Sequence, residues 1–440
     1  MSSLTQSALF EIIPTSRRTP EQVPRWADER ESETYRLRRL PQNLNEIHQG
    51  GTVIWRDNGT LTYVAGDNED DVPDAFHEYL TVSFGGKGPT LHIVGPTDDV
   101  MAETAGFFME LEESATEENS VLEVSYSMGT FEFEAAGTRC LERLFAAAPS
   151  RRVQFHMLTL SAEQSVVLAS QSNRLTLFKC HFEDFGAAFV DALPQRQQKF
   201  GSLAFVADTP FDNHNLRHLL QVETIERLTL PNIEAELALL PFSAKVESLD
   251  YQIAYTSLQE ADLQTLNIAA SKLSLTLYYT KAFPTKLVLS LLRRLAALGH
   301  FIELRLQFDS FGRNNKIPEE VVTELCRAVL GNPTLNILDL GVHPEYLDWG
   351  PHMETLLKDL KDHKGLSHLI VNVPTSAFGP DFAFLRQLLA HKKNITVANE
   401  NGKVYSRLSR RSKGVQLTVE ALMDLTQSSL ITAALMQSMF

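Results

Sequence analysis

Two imidazoles open the search for chemistry. In His214-Asn215-Leu216-Arg217-His218 the rings stand four residues apart, which puts both on one helical face, a spacing that can ligate zinc. Position 215 is Asn where a metalloprotease helix needs its glutamate, and no third ligand lies close in sequence, so two surface histidines are expected and no metal is assigned. Gly85-Gly86-Lys87-Gly88-Pro89-Thr90 has the residue types of a phosphate loop. Pro89 removes an amide donor, however, and a strand follows where an anion site needs a helix N-terminus, so a turn is expected. Asp67-Asn68-Glu69-Asp70-Asp71 lacks the glycine and terminal glutamate of a calcium loop and reads as an acidic loop. No serine stands in a Gly-x-Ser-x-Gly elbow, and Cys140, Cys180 and Cys326 lie in no nucleophile motif. These residues point away from an enzyme, with no catalytic residue and no cofactor assigned.

The chain that must position such residues has 440 of them, 43% hydrophobic and 22% charged, enough apolar surface to offset the entropy of ordering. A formal net charge of -15 opposes a general nucleic-acid binder, because phosphate contacts need a basic surface. The charge is uneven: Asp67 to Asp71 and Glu110 to Glu118 are acidic, while Arg407, Arg410, Arg411 and Lys413 form a basic cluster, each expected to be solvated surface. Three scattered cysteines make a poor disulfide framework, and Met1 to Arg18 lacks the pattern of a secretory signal. An intracellular, reducing location, cytoplasmic or nuclear, is expected, with the sequons at Asn58 and Asn394 left unglycosylated. Val415 to Phe440 is too polar for a spanning segment and reads as an amphipathic helix with Val419, Leu422, Met423, Leu430, Ala434 and Leu435 on one stripe, a lid on the preceding repeat and not a membrane anchor.

The dominant feature is a repeat. Apolar pairs two apart recur at Leu91/Ile93, Leu122/Val124, Val153/Phe155, Leu175/Leu177, Leu203/Phe205, Leu228/Leu230, Leu249/Tyr251, Leu273/Leu275, Leu304/Leu306, Leu338/Leu340, Leu369/Val371 and Ile395/Val397. The intervals run from 21 residues (Leu228 to Leu249) to 34 (Leu304 to Leu338). Several pairs carry a third apolar residue three positions earlier, as in Phe200/Leu203/Phe205, Phe301/Leu304/Leu306 and Leu366/Leu369/Val371. Helical stretches separate the pairs. Pro284 opens one that Gly299 closes, and Pro318 opens another that Gly331 closes, since proline fits a first helical turn and glycine the left-handed residue that ends one. Strand, helix, strand at these lengths predicts parallel strands with helical crossovers.

Leu175, Leu177, Cys180, Phe182 and Gly186 complete the best single unit. On these residues the chain resembles the leucine-rich-repeat family, and within it the ribonuclease-inhibitor-like branch, over residues 89 to 402. The resemblance implies an α/β solenoid, a horseshoe with a parallel concave β-sheet and outer helices, in about twelve units. It also implies that the Cys180 position satisfies backbone groups inside its turn. Residues 1 to 48 are expected to be flexible or partly ordered. Residues 49 to 88 are expected to form a small N-terminal β cap, with a hairpin over Val53 to Val64 whose Asn58-Gly59 supplies two positive φ angles and a third strand at Tyr79 to Phe84. Residues 403 to 440 supply the basic segment and capping helix.

Strand alternation sends the residues flanking each apolar pair to the concave side. They include Glu123, Gln154, His156, Thr176, Phe178, Arg227, Thr229, Asp250, Gln252, Lys272, Ser274, Glu303, Arg305, Gln307, Asp339 and Asn372, a set of mixed sign that suits a protein partner. Phe178, Arg227, Asp250, Glu303, Arg305 and Asp339 are the candidate contacts, because interfaces favour arginine and aromatic side chains. The expected function is a protein-interaction scaffold or adaptor, with no nucleic acid and no membrane as partner. The alternative is a catalytic regulator, such as a GTPase-activating protein, that would present an Arg or Asn at a strand-end loop.

Overall fold

The computed structural model describes residues 9–17, 34–47, 52–65, 78–85, 88–111, 121–258, 263–280, 282–310, 315–341 and 347–405. The acidic loop at Asp67 to Asp71, the basic cluster and the expected helix over 415–440 lie outside them. The protein is α/β and divides into two units between Pro231 and Asn232, inside the stretch expected to be one array. Among the described residues no helix is long and apolar enough to cross a membrane.

In the first unit the strands are β1 (Phe10–Ile13), β2 (Thr34–Leu37), β3 (Thr52–Trp55), β4 (Leu61–Val64), β5 (Leu80–Phe84) and β6 (Thr90–Val94). Helix α1 (Asp98–Met109) leads to β7 (Val121–Tyr126) and β8 (Phe131–Glu132); α2 (Arg139–Ala147) to β9 (Arg152–His156) and β10 (Leu158–Leu160). Helix α3 (Ala162–Gln171) leads to β11 (Arg174–Phe178) and β12 (His181–Phe182), α4 (Ala187–Ala192) to β13 (Phe200–Val206), and α5 (Asn213–Leu219) to β14 (Ile225–Leu230). The main sheet runs β1-β2-β3-β4-β6-β5-β7-β9-β11-β13-β14, with parallel pairing throughout from β7 onward.

Two details differ from the sequence expectation. Leu91 and Leu122 stand in β6 and β7, but β5 lies between those strands and pairs antiparallel with both, so the Leu91 unit does not neighbour the Leu122 unit. A short link after β5 makes a hairpin with β6, and α1 then carries the chain past β5; alternation alone cannot tell such a strand from a parallel one. The hairpin turn between β3 and β4 also differs, because only Gly59 has a positive φ, of 88°. Gly59 N–H donates to the Arg56 carbonyl at 3.0 Å and Arg56 N–H to the Thr60 carbonyl at 3.0 Å, a longer loop than two residues. Asn58 is used through its side chain, accepting from the Thr60 amide and hydroxyl while donating to Thr104 Oγ1 at 3.0 Å.

A repeated turn marks the parallel part of this unit. Met157, Lys179 and Ala207 each follow the final residue of β9, β11 or β13, and all three have positive φ, of 60°, 46° and 73°. The turn is held by Met157 N–H to the Phe178 carbonyl at 2.8 Å and Lys179 N–H to the Val206 carbonyl at 3.3 Å. After Met157 and Lys179 the chain enters β10 and β12, which with β8 form a second parallel ribbon, β8-β10-β12, ahead of the helices. Cys180 follows one such turn, and its thiol donates to the Phe155 carbonyl of the neighbouring strand at 3.2 Å. Gly186 has φ 83°, and an added Cβ would meet Phe211 Cδ1 at 2.1 Å, so backbone angle and space both require glycine there. Helix α3 begins with a capping box between Ser161 and Gln164, and the buried Gln164 amide also donates to the carbonyls of Phe133 and Gly137, tying this helix to the preceding repeat.

In the second unit the strands are β15 (Ser248–Ala254), β16 (Lys272–Tyr279), β17 (Glu303–Ser310), β18 (Asn315–Lys316), β19 (Ile337–Asp339), β20 (Leu347–Asp348), β21 (His368–Ile370) and β22 (Thr396–Ala398). Helices α6 (Thr285–Leu298), α7 (Glu319–Leu330), α8 (Met353–Leu360) and α9 (Ala383–His391) connect them. The main sheet, β15-β16-β17-β19-β21-β22, is entirely parallel, and β18 pairs parallel with β20 beside it. Leu249, Leu273, Leu304, Leu338, Leu369 and Val397 share one register row, all buried. The last strand therefore aligns on Val397 and not on Ile395; a two-residue offset preserves the buried face, so periodicity alone does not exclude it.

Gly299 closes α6 in the left-handed conformation, with φ 67°. Gly331 does not close α7 that way, since its φ is -68°. Its glycine identity comes from packing: a Cβ there would meet the Ala296 carbonyl oxygen at 2.9 Å, where α7 passes α6. Buried Asn332 then satisfies the helix ends, donating to the carbonyls of Leu295 and Ala328 and accepting from Phe301 N–H. One repeat later His363 has the equivalent task, its Nδ1 accepting from Leu366 N–H and its Nε2 therefore donating to the Asn332 carbonyl.

Candidate functional site

The alternation that buries the leucine rows leaves polar rows on the opposite face of each sheet. In the second unit one row is Ser248, Lys272, Glu303, Ile337 and His368, and the next is Asp250, Ser274, Arg305, Asp339 and Ile370. Four candidate residues from the sequence, Asp250, Glu303, Arg305 and Asp339, thus stand on adjacent rows of one face. Arg305 Nε donates to Asp339 Oδ2 at 2.7 Å, and Asp339 Oδ1 accepts from Gly341 N–H at 2.8 Å. The two side chains are only 13% and 8% exposed, well sheltered for an open sheet face. Burial pushes the Asp250 carboxyl up, while the Arg305 charge and a Ser274 hydroxyl act to hold it down. Lys272 sits between Glu247 at 2.9 Å and Glu303 at 3.9 Å.

Farther along the same strands come Gln252, Thr276 and Gln307, then Ala254, Tyr278 and Asp309. Thr276 donates to Gln307 Oε1 at 3.1 Å and Tyr278 to Gln252 Oε1 at 3.2 Å. Burial raises the Asp309 carboxyl and, with the charges of Asp309 and Asp250, the Tyr278 hydroxyl. Tyr278 and Asp309 were not among the positions picked from sequence, because they lie beyond each apolar pair, where a strand's length is not readable from its first two leucines.

Phe178 and Arg227 belong to the first unit. Phe178 is half-buried on β11, its ring 5.4 Å from that of His156, and Arg227 is exposed on β14. Register places Arg227 in a row with Val121, Arg152, Arg174 and Ser202, so that three arginines line one edge of the face. Arg152 and Arg174 were missed, although each immediately precedes the first apolar residue of its pair as Arg227 does. The middle row is Glu123, Gln154, Thr176, Ala204 and Thr229. The far row is Tyr63, His92, Thr81, Ser125, His156, Phe178 and Val206, which continues through the antiparallel strands.

That far row carries two imidazoles, a tyrosine and a phenylalanine. His92 stacks on Tyr63 with ring centroids 6.3 Å apart, Tyr79 meets it edge-on at 5.3 Å, and Thr81 Oγ1 lies 3.0 Å from its Nδ1. Burial holds the His92 imidazole down at about 4, and its Nε2 has no hydrogen-bond partner among the described residues. Burial lowers His156 too, against the opposing pull of Glu123, whose Oε1 lies 4.0 Å away.

The remaining sequence motifs fall elsewhere. His214 and His218 are exposed on α5 with ring centroids 4.3 Å apart. Among the described residues no three or more His, Cys, Asp or Glu side chains come together as a metal site would require. Cys140, Cys180 and Cys326 are buried, and burial pushes each thiol up to about 12, far from the thiolate form that reacts. Of the Gly85 to Thr90 stretch, Gly85, Gly88 and Pro89 lie in the link between β5 and β6, and Thr90 opens β6. No family model and no curated protein matches the chain.

Proposed function

We propose that this chain is a leucine-rich-repeat solenoid of the ribonuclease-inhibitor-like kind, and that it acts as a scaffold or adaptor by holding a protein partner on the exposed face of its parallel sheets. Repeated strand, kink, second ribbon and helix in the first unit support the repeat reading, as does the Cys180 thiol on the neighbouring strand's carbonyl. The observation that carries the binding reading is the row of Asp250, Ser274, Arg305 and Asp339, whose charged groups are sheltered and already oriented by one another. Polar groups fixed before contact lose little entropy on binding, which is how a mixed-charge surface gains specificity for one protein. The alternative, a catalytic regulator, would present an Arg or Asn at a strand-end loop, a place that Arg305, within β17 and bonded to Asp339, does not have.

The test is chemical crosslinking and capture from cells with the full chain, comparing wild type with an Arg227→Glu/Glu303→Lys variant whose melting temperature is unchanged. A partner retained by the wild type and lost by the variant supports the reading. An identical set of captured proteins from both sinks it.

A further inference from the structure

Resting on the proposal that the sheet faces hold a protein, we infer that the second unit's face takes an arginine side chain of that partner, its guanidinium on the Asp309 carboxylate beside the Tyr278 ring. Strands β15, β16 and β17 run for 7, 8 and 8 residues, whereas β19, β21 and β22 each stop after 3. The three long strands therefore carry two outward rows beyond the paired charges: first Gln252, Thr276 and Gln307, then Ala254, Tyr278 and Asp309. Asp309 has the only carboxylate on those rows, and no cation stands in either.

The carboxylates nearer the start of these strands are all answered. Asp339 takes Arg305 Nε at 2.7 Å, Asp250 lies in the field of the same guanidinium, and Glu303 is 3.9 Å from Lys272. Asp309 differs. It is half-buried, it has no ion pair or hydrogen bond with a described residue, and burial alone acts on it, pushing its carboxyl up. Arg305 stands four residues back along the strand, about 13 Å away, and turns its Nε to Asp339. A carboxylate that gives up water without gaining a donor costs the fold free energy, and a donor brought by a partner removes that cost.

The surroundings of Asp309 select arginine among the cations. Directly paired with it on β16 is Tyr278, whose hydroxyl donates to Gln252 Oε1 at 3.2 Å and so fixes the ring. A guanidinium is flat: its fork bonds both oxygens of a carboxylate while its plane lies along an aromatic ring, whereas an ammonium meets the carboxylate as a point charge. Ala254, on the other side of Tyr278, presents only a methyl group, so no long side chain of that row obstructs the aliphatic stem. The neighbouring row is uncharged, and Thr276 donating to Gln307 Oε1 at 3.1 Å holds it in order. A basic segment also suits a chain of net charge -15.

The experiment is selection from a random twelve-residue peptide library on the immobilised full chain. One selected peptide, with versions carrying lysine or neutral citrulline in place of arginine, is then measured by fluorescence anisotropy against wild type, Asp309→Asn, Tyr278→Leu and Glu303→Gln. Arginine enrichment in the pool is expected, with binding about tenfold weaker for Asp309→Asn and for the citrulline peptide. A loss of about threefold is expected for the lysine peptide and for Tyr278→Leu, and none for Glu303→Gln. Because Asp309→Asn keeps the outline of the side chain and removes an unanswered charge, its melting temperature should equal or exceed that of the wild type. A lower one would mean that the carboxylate is already used within the fold, and overturns the inference. A pool without arginine enrichment, or arginine peptides that bind wild type and Asp309→Asn alike, also overturns it. Peptides lost only with Glu303→Gln overturn it while leaving the scaffold reading standing; a library that yields no binder at all sinks both.

Discussion

The two units solve the same structural problem with different chemistry. On the second unit's face charge is balanced locally: Arg305 on Asp339, Lys272 between Glu247 and Glu303, and Asp250 beside Arg305. On the first unit's face like charges share a row, and the far row is aromatic and imidazole. Their turns differ in the same way. The first unit places Met157, Lys179 and Ala207 in the left-handed region, a backbone cost of about 1–2 kcal/mol each for residues other than glycine. The second unit has two such residues, Asp381 and Phe382, beside a helix start, and at its strand junctions Asn332, His363, Asp339 and Asn372 accept from or donate to backbone groups. The contrast teaches that charged residues at equivalent repeat positions need not be arranged alike: those of the second unit alternate in sign along their rows, and Arg152, Arg174 and Arg227 of the first stand in a row of one sign.

The strongest way to break this contrast is Arg305→Ala. It leaves Asp339 sheltered without its cation, and urea unfolding is expected to lose roughly 3 kcal/mol, whereas Arg227→Gln, on an exposed side chain, is expected to change stability by less than about 0.5 kcal/mol. Equal costs for the two would erase the distinction. Acid sensitivity comes next. His92 is held neutral by burial down to about 4, while the unfolded chain binds a proton below its ordinary value of 6.5. The folded state therefore keeps its full stability above pH 6.5 and loses it as pH falls towards 4, by up to ~3 kcal/mol at 1.36 kcal/mol per unit. His92→Gln should flatten that part of a stability profile measured between pH 7 and pH 4; an unchanged slope would place the acid sensitivity elsewhere.

The turn comparison gives two smaller effects. Asn332→Ala strips partners from two buried carbonyls and one N–H, and is expected to cost about 2 kcal/mol in chemical denaturation. Ala207→Gly relieves a positive φ of 73° but frees the unfolded chain, for a net gain of roughly 0.5 kcal/mol. A loss in the second case, or a neutral result in the first, would mean that backbone strain and side-chain capping are not the alternatives they resemble here.

Much of this was legible in the residues. Every apolar pair that defined the repeat contributes to a strand, because a buried face must recur every second residue whatever its neighbours do. Helix punctuation at Gly299 was read for the right reason; Pro284 stands one residue before its helix as the N-cap, with ψ 62°, and not in the first turn, and Gly331 owes its requirement to the Ala296 backbone across a helix contact and not to its own φ. The candidates Phe178, Arg227, Asp250, Glu303, Arg305 and Asp339 all stand on strands of the two sheets. What periodicity could not supply was adjacency. It did not place β5 between β6 and β7, slide β22 by two residues, or separate Phe178 and Arg227 from the other four candidates into a different unit.

The sequence by itself determined which residues turn inward, where helices separate strands, and that the outward positions are polar and of both signs, because these follow from local periodicity and composition. Only the tertiary structure decided which of those outward residues share a row. Register is set by hydrogen bonds between strands far apart in the chain, and a row of three arginines or an Asp250-Ser274-Arg305-Asp339 line exists only once that register is fixed.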